Sequence, residues 1–284
     1  SSAPAAIDSL NKFNDIFLLL IGDEDQINSL LSEKIKKLEG VKYRIIHTKE
    51  HISMNDDIVS AIRSKKKSSM RLAVNAVKNN EADACVSAGN TGALMALSKI
   101  ILKTIPGIDR PAICGSLPTK TSQFHMLDLG ANVECSAKHL YEFAIMGSAL
   151  VQSLNLKTKP VIGLLNIGSE DFKGNETIKT AGQLIQKSNL NYAGFVEGDD
   201  MFNGKFDVIV TDGFAGNIAL KSIEGVAKVI SHFIKKEFTK NIFTKLSALI
   251  SLPVMKSFKN KVDPRKYNGA SLLGLQGIVV KSHG

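Results

Sequence analysis

Short apolar runs alternate with segments of helical periodicity along most of the chain. Residues 16–21 (IFLLLI) form an uninterrupted apolar run, which predicts a strand buried on both faces, as in a parallel sheet. Gly22 ends that run, Asp23 and Gln26 fit a capping box, and an apolar stripe then predicts one helix as far as Leu38. The chain therefore opens with a β-α unit.

The same unit recurs towards the C-terminus. Further strands are predicted at residues 43–47, 84–87, 112–117, 124–129, 161–166, 192–196 and 206–211. Helices are predicted at residues 69–78, 93–105, 137–154, 176–187 and 218–238. This alternation predicts an α/β fold with a mainly parallel sheet flanked by helices. No repeat or low-complexity linker marks a boundary, so residues 1–284 are interpreted as one α/β domain with room for two subdomains.

Composition narrows the functional classes. A chain of 284 residues, 44% hydrophobic and 22% charged, is typical of a soluble globular protein. Its formal charge of +9 is compatible with nucleic acid, anionic lipid or an acidic protein as partner. Nucleic acid ranks last because aromatic residues do not interleave with the basic clusters. No apolar run has the length of a spanning helix, and the N-terminus lacks a signal-peptide pattern.

The cysteines and histidines do not indicate a metal. Cys85, Cys114 and Cys135 lie in or beside apolar runs without CxxC spacing, which predicts buried free thiols in a reducing compartment. The six histidines show no ligand spacing. We therefore predict no metal and no cofactor.

Four predicted strands end in polar turns rich in glycine and asparagine: 87–92 (SAGNTG), 128–132 (DLGAN), 166–176 (NIGSEDFKGNE) and 211–217 (TDGFAGN). Glycine lets the backbone approach a ligand, and the helix N-terminus that follows favours an anion. A plain turn with a helix cap remains the alternative for 87–92. Because the carboxyl ends of parallel strands meet at one edge, we expect the four turns to converge on a single anion site. None matches a P-loop or a convincing dinucleotide fingerprint.

Seven segments, in order, carry a resemblance to a known family. They are 65–74 (KKKSSMRLAV), 81–96 (EADACVSAGNTGALMA), 126–135 (MLDLGANVEC), 166–176, 195–202 (FVEGDDMF), 207–225 (DVIVTDGFAGNIALKSIEG) and 267–284 (YNGASLLGLQGIVVKSHG). The chain resembles the PlsX family of acyl-ACP:phosphate acyltransferases. The resemblance implies transfer of a long-chain fatty acyl group from acyl carrier protein to inorganic phosphate, giving acyl phosphate for phospholipid synthesis.

The resemblance also has implications for the fold, the oligomeric state and the cellular location. It implies a fold like those of phosphotransacetylases and isopropylmalate dehydrogenases, a homodimer, and a cytoplasmic location with peripheral attachment to the membrane. A downstream glycerol-phosphate acyltransferase would use the acyl phosphate. Family members open with a strand and an acidic glycine-rich loop, whereas this sequence starts at Ser1, so one glycine-rich wall of the site is expected to lie outside it.

Candidate site residues follow from the turns and the resemblance. Lys173, Asn132 and Asn217 are the catalytic candidates, with Lys173 as the charged partner of phosphate and the asparagines as donors to the oxyanion or the pantetheine amides. Asp128 and Asp212 either orient Lys173 or cap helices. The full set of candidate phosphate- or substrate-binding residues is Ser87, Gly89, Asn90, Thr91, Gly92, Asp128, Gly130, Ala131, Gly168, Asn175, Glu176, Asp212, Gly213 and Gly216.

Three further features each have two interpretations. His125 is more often a satisfied strand residue than a base, and Cys85 is more often core than an acyl carrier. Lys65, Lys66 and Lys67 either steer an acidic carrier protein or form a solvated face.

Residues 238–262 contain five lysines and no acidic residue, with an apolar stripe that Pro253 interrupts. This pattern predicts an amphipathic helical hairpin whose arms pack in the dimer and whose tip meets an anionic membrane surface. The predicted tip residues are Leu246, Leu249, Ile250, Leu252 and Val254. An ordinary core or dimer hairpin is the alternative.

Two other functions compete with the acyltransferase. One is a short-chain phosphotransacetylase that uses acyl-CoA, and the other is a membrane-associated scaffold that binds acyl carrier protein without turnover. A nicotinamide-dependent dehydrogenase is disfavoured because the sequence has no acidic metal-binding cluster.

Overall fold

The computed structural model describes residues 3–262 and 269–282, which form two compact units. The first unit contains the described residues up to Pro111 together with 269–282, and the second contains Ala112 to residue 262. The α/β class predicted from the sequence is confirmed, since strands and helices alternate in both units.

The first unit begins with α1 (Ala3–Lys12), β1 (Leu18–Gly22), α2 (Glu24–Leu30), α3 (Glu33–Lys36), β2 (Tyr43–His47), α4 (Ile58–Ser64), α5 (Ser69–Lys78), β3 (Ala84–Ser87) and α6 (Thr91–Leu102). The second unit follows with β4 (Ala112–Pro118), β5 (Gln123–Leu127), α7 (Ala137–Ser153), β6 (Ile162–Leu165), α8 (Glu176–Gln186), β7 (Tyr192–Val196), a 3-10 turn (Asp200–Asn203), β8 (Val208–Val210), α9 (Gly213–Phe238), α10 (Ile242–Ile250) and α11 (Leu252–Val262). Strands β9 (Ala270–Leu273) and β10 (Ile278–Lys281) then return to the first unit.

Strand β1 lies in a two-stranded parallel sheet with β2. All five of its residues are only partly buried, so the prediction of a strand buried on both faces is wrong. The predicted Asp23 cap is confirmed, because Asp23 accepts a hydrogen bond from the Gln26 amide at 3.2 Å, but no reciprocal bond from the Gln26 side chain completes a capping box among the described residues. The single helix predicted after it is also wrong: Leu31 adopts an extended conformation and turns into a small core, which separates α2 from α3.

The other sheet strands of the first unit are β3, β10 and β9, in that order. Strand β10 is parallel to β3 and antiparallel to β9. Neither β9 nor β10 was predicted, and the short helices α1 and α4 were missed as well.

In the second unit the strand order is β4-β5-β8-β6-β7. Strands β5, β8, β6 and β7 run parallel, and β4 pairs antiparallel with β5. Helix α7 packs closely on this sheet, because a Cβ added to Gly147 would come within 2.5 Å of Val208 and 3.1 Å of Leu127. Helix α9 begins five residues before the predicted start, because the Asp212 carboxylate caps it by accepting from the Ala215 amide at 2.7 Å.

Helices α9, α10 and α11 form the C-terminal part of the second unit. The hairpin break lies at Ser251, the C-cap of α10, and Pro253 lies in the first turn of α11. The prediction that Pro253 interrupts the helix is therefore wrong in detail, since a proline in a first turn removes no intrahelical hydrogen bond. All five predicted tip residues are exposed, and Ile250 reaches 83%.

Candidate active site

Three of the four glycine-rich loops leave the same edge of the sheet in the second unit. In the parallel register Leu127 of β5 lies opposite Val210 of β8, and Val210 lies opposite Leu164 of β6. The loops that follow these strands, 128–132, 211–217 and 166–176, therefore start side by side. The carboxyl edge of a parallel sheet is where ligands of such folds bind.

Asp128 organises the first of these loops. Its buried carboxylate accepts hydrogen bonds from the amides of Ile113 (2.9 Å), Ala131 (3.1 Å) and Asn132 (2.6 Å), and from the Asn132 side chain (2.9 Å). Burial raises the pKa of Asp128, although these four donors favour the ionised form. No hydrogen bond or ion pair joins Asp128 to Lys173 among the described residues, so the function of Asp128 here is to hold Asn132 and the loop backbone.

Two predicted site glycines allow the second loop to pack against the first. The Gly213 amide donates to the Asn132 carbonyl at 2.8 Å, and a Cβ at Gly213 would lie 2.6 Å from the same oxygen. A Cβ at Gly216 would overlap the Asp128 carbonyl oxygen. Because both obstacles are backbone atoms, they have no rotamer that would relieve the overlap. Close packing is thus a sufficient reason for glycine at both positions.

Asn217 has hydrogen-bonding capacity to spare. Its side chain is exposed, lies beside Gly130, and has no hydrogen-bond partner among the described residues. Gly130 has φ +119°, and a Cβ there would be 3.3 Å from the Asn217 Cβ. By contrast, one N–H of the buried Asn132 amide is engaged by Asp128. Of these two catalytic candidates, Asn217 is the freer donor.

The loop after β6 is held by a residue that was not predicted as part of the site. Asn166 is 7% exposed, and its Nδ2 donates to the Lys173 carbonyl at 3.2 Å. Its buried Oδ1 has no partner in the described part of the chain. Gly174, at φ +85°, leaves no room for a side chain beside that amide. The available signal was an asparagine that ends the apolar run 161–165.

Lys173 lies beside Gly168 in this loop, with its ammonium near the Phe172 ring. A Cβ at Gly168 would lie 2.8 Å from the Glu170 Oε2 and 2.9 Å from the Lys173 Cγ, so glycine leaves room for both side chains. The ammonium lies 5.7 Å from the centre of the Phe172 ring, and no carboxylate pairs with it among the described residues. Its positive charge is available to an anion.

The predicted residues at the start of α8 already have structural contacts. Asn175 caps the helix by accepting from the Ile178 amide at 2.9 Å. The Glu176 carboxylate pairs with Lys179 at 3.0 Å. The side-chain nitrogen of Asn175, Nδ2, has no partner in the described residues and can therefore donate a hydrogen bond to a substrate.

The fourth loop, 87–92, belongs to the first unit. Asn90 caps α6 by accepting from the Ala93 amide at 3.0 Å, and the Ser87 hydroxyl accepts from the Gly89 amide at 3.2 Å. Within the described ranges the amides of Thr91 and Gly92 have no partner, as expected at a helix N-terminus open to an anion. The capping alternative is thus correct for Asn90, while convergence of this loop with the other three stays a prediction.

The groups considered as alternative catalysts are buried. Burial lowers the pKa of His125, and the residue is 4% exposed. Burial raises the pKa of the Cys85 thiol to about 11. Cys114 is buried too, as predicted, but Cys135 is only partly buried. In the described residues no group of three His, Cys, Asp or Glu side chains is placed to hold a metal ion, and no helix is long and apolar enough to cross a bilayer.

Residues 3–284 match the protein family described as fatty acid synthesis protein. A phosphate acyltransferase of Methylococcus capsulatus is 55% identical over 281 residues, covering 99% of this chain and 83% of the relative. A phosphate acyltransferase of Vesicomyosocius okutanii is 56% identical over 280 residues, with the same two coverages of 99% and 83%.

Solved structures support the fold. The EutD phosphotransacetylase of Staphylococcus aureus aligns over 99% of this chain and 85% of its own, with a TM-score of 0.61 and 16% identity. A phosphotransacetylase of Streptococcus pyogenes aligns over 80% and 78%, with a TM-score of 0.60 and 18% identity. At these identities the likeness concerns the fold alone.

Proposed function

The chain belongs to the fatty acid synthesis protein family, whose curated relatives include phosphate acyltransferases, and we propose that it transfers a long-chain fatty acyl group from acyl carrier protein to inorganic phosphate. It is an acyltransferase. Identity above 50% over nearly the whole chain to enzymes with this name carries the proposal. The parallel loops at the carboxyl edge of the second unit supply a chemically suitable setting.

The reaction needs positioning more than it needs a strong base. An oxygen of hydrogen phosphate attacks the thioester carbonyl carbon and a C–O bond forms. Collapse of the tetrahedral oxyanion then breaks the C–S bond, and the departing thiolate takes up the proton that hydrogen phosphate loses, which gives the carrier thiol. Phosphate is anionic at neutral pH, so the nucleophile needs no activation by a buried histidine or cysteine. Preorganised donors that stabilise the oxyanion are the main catalytic requirement.

The residues with unused hydrogen-bonding capacity are the ones we assign to substrate. In the first unit, the amides of Thr91 and Gly92 at the start of α6 are proposed to bind phosphate oxygens. In the second unit, Lys173 is proposed to neutralise negative charge in the transition state, and Asn217 to donate to the oxyanion or a pantetheine amide. Asn132 is proposed as a weaker donor because Asp128 engages its amide.

A comparison of acyl donors tests the proposed reaction. Purified protein is supplied with inorganic phosphate and either palmitoyl-ACP, palmitoyl-CoA or acetyl-CoA, and acyl phosphate is trapped with hydroxylamine. We expect kcat/KM to be highest for palmitoyl-ACP. Preference for acetyl-CoA would favour a short-chain phosphotransacetylase, and carrier binding without acyl phosphate formation would favour a scaffold.

We further propose that the protein works at the cytoplasmic face of a membrane as a homodimer. The support is an apolar surface on the C-terminal helices, where Phe243, Leu249 and Ile250 are exposed. Between α9 and α10 this surface includes an open groove of about 410 Å³. The groove is lined by Phe233, Ile234, Glu237, Phe238, Thr244 and Ser247. An exposed apolar surface of this kind, with exposed lysines nearby, is typical of an interaction site for lipid or protein. Release of acyl phosphate at lipid would deliver it to a glycerol-phosphate acyltransferase.

The double variant Leu249→Asp/Ile250→Asp tests the lipid contact. Loss of two apolar side chains from a membrane interface costs about 3 kcal/mol, so vesicle partitioning should fall roughly a hundredfold. The measurement is sedimentation with vesicles that contain anionic lipid. Leu30→Asp/Val41→Asp, at two exposed apolar positions of the first unit, is the matched control. Equal partitioning of the two double variants would refute the lipid contact.

A further inference from the structure

A basic surface with an apolar centre lies on the first unit, formed by α4 and the turn that joins it to α5. Residues 63–71 contain five basic side chains and no acidic one. The side chains of Arg63, Lys66 and Lys67 are exposed, and no carboxylate lies within ion-pair distance of them among the described residues. Three positive charges therefore face solvent without an ion-pair partner in this part of the structure.

The turn that carries these cations is fixed by its neighbours. Lys65 is used internally, since its ammonium pairs with Asp56 at 2.5 Å and donates to the His51 carbonyl at 2.9 Å. The Lys67 amide donates to the Glu50 carboxylate, and the Lys67 carbonyl accepts from the Thr48 hydroxyl at 2.8 Å. Asp56 and Glu50 are thus engaged by the turn, while the exposed Asp57 caps α4 by accepting from the Ser60 amide. The exposed cations are presented from a preorganised backbone, which lowers the entropy cost of binding.

Helix α4 is anchored on its inner side and offers apolar groups on its outer side. Arg71 donates to the Ile62 carbonyl at 2.6 Å and so ties α5 to the end of α4. Val59, one helical turn before Arg63, is 57% exposed, and Met54, just before the helix, is 67% exposed. An apolar centre with a charged rim is the usual anatomy of a protein–protein interface.

This surface adjoins the proposed phosphate-binding loop 87–92 within the same unit. The Asn90 side chain donates to the Met54 carbonyl at 3.3 Å. The Ile58 side chain lies against Gly92, and the Met70 side chain lies against Gly89. A partner seated on α4 would therefore be in contact with the segment that supports the loop.

We propose that the surface formed by Met54, Val59, Arg63, Lys66 and Lys67 docks an acidic helix of the acyl carrier protein. The inference rests on the proposed function, because it names the place where the acyl donor binds. Complementary charge at the rim raises the association rate and fixes the register of the complex, and the apolar centre lowers the dissociation rate. On this proposal Lys65 is structural, because it pairs with Asp56, and Lys66 and Lys67 recognise the carrier.

Charge reversal tests the docking surface. In Arg63→Glu/Lys66→Glu/Lys67→Glu the Kd for holo acyl carrier protein, measured by titration calorimetry, should rise about 100-fold, and kcat/KM with palmitoyl-ACP should fall by a similar factor. The triple variant Lys37→Glu/Lys78→Glu/Lys99→Glu makes the same change in net charge at three exposed lysines of the same unit. We expect this control to change both quantities less than threefold. Val59→Asp should weaken carrier binding without changing the number of basic groups.

The outcomes separate the docking surface from the reaction. Parent protein that forms no acyl phosphate from palmitoyl-ACP would overturn the proposed function. Parent activity with equal carrier affinity in both triple variants would overturn the docking surface alone. Urea denaturation midpoints check that the variants fold. If the triple variant at Arg63, Lys66 and Lys67 lost as much turnover with acyl-pantetheine as with acyl-ACP, the result would also count against docking, because acyl-pantetheine carries no protein. Loss of anionic-vesicle binding with unchanged carrier affinity would assign the surface to lipid instead.

Discussion

Replacement of Gly216 by alanine should destabilise the protein although the residue lies in a helix. The new Cβ would overlap the Asp128 carbonyl oxygen and lie 2.9 Å from the Thr211 methyl group. Overpacking against backbone costs about 3 kcal/mol, and separation of the loops would weaken the Gly213–Asn132 hydrogen bond by about 1 kcal/mol. Alanine regains about 1 kcal/mol of helix propensity. The expected net loss is about 3 kcal/mol.

The same substitution at Gly225 provides the matched control. Gly225 lies in the same helix, and nothing is within 4 Å of a Cβ added there. Gly225→Ala should therefore be neutral or stabilise by up to about 1 kcal/mol. In thermal denaturation the Gly216 variant should melt about 6–12 °C below the parent. Equal melting temperatures for the two variants would refute the argument that backbone packing dictates glycine at position 216.

Three further predictions concern titration, thiol reactivity and charge. Burial lowers the pKa of His125, so below about pH 6.5 the unfolded chain binds more protons than the folded one. The free energy of unfolding that depends on neutral His125 is fully present above that pH and should fall as the pH decreases. A urea midpoint that stays constant from about pH 7.5 to 5.5 would contradict this. A thiol reagent at pH 8 should modify Cys135 before Cys114, whose pKa burial raises to about 12; a Cys135→Ser variant that retains the fast phase would disprove it. Lys173→Ala should lower kcat/KM by about 10–100-fold and Lys187→Ala should not, as measured by acyl phosphate formation; equal rates would remove Lys173 from catalysis.

The sequence predicted the features that depend on local patterns. Apolar runs located the strands of the second unit, and polar turns after them located the loops at its carboxyl edge. Features that depend on distant partners were missed. Strands β9 and β10 complete a sheet with β3, nearly 200 residues earlier in the chain. Likewise, the position of Asp128 depends on the Ile113 amide, which no local pattern around Asp128 reveals.

Glycine was the sequence feature whose role was hardest to predict. Six loop glycines were candidates for ligand approach, yet at Gly213 and Gly216 backbone atoms of the neighbouring loop fill the space a side chain would need. At Gly168 the same space holds the Glu170 carboxylate and the stem of Lys173. A sequence shows that a side chain is absent but does not show which atoms occupy its place.

In this fold, unused hydrogen-bonding capacity is a better guide to function than the presence of glycine in a loop. Asp128 receives four N–H donors, and Asn166 holds the Lys173 backbone. These groups are committed to folding, and their contacts fix the loops from which Lys173 and Asn217 extend. A catalytic donor must have an N–H group or a charge without a partner in the folded chain. It must also be held in position by neighbouring groups whose hydrogen bonds are satisfied. Lys173 and Asn217 meet the first condition, and the Asp128 and Asn166 networks meet the second.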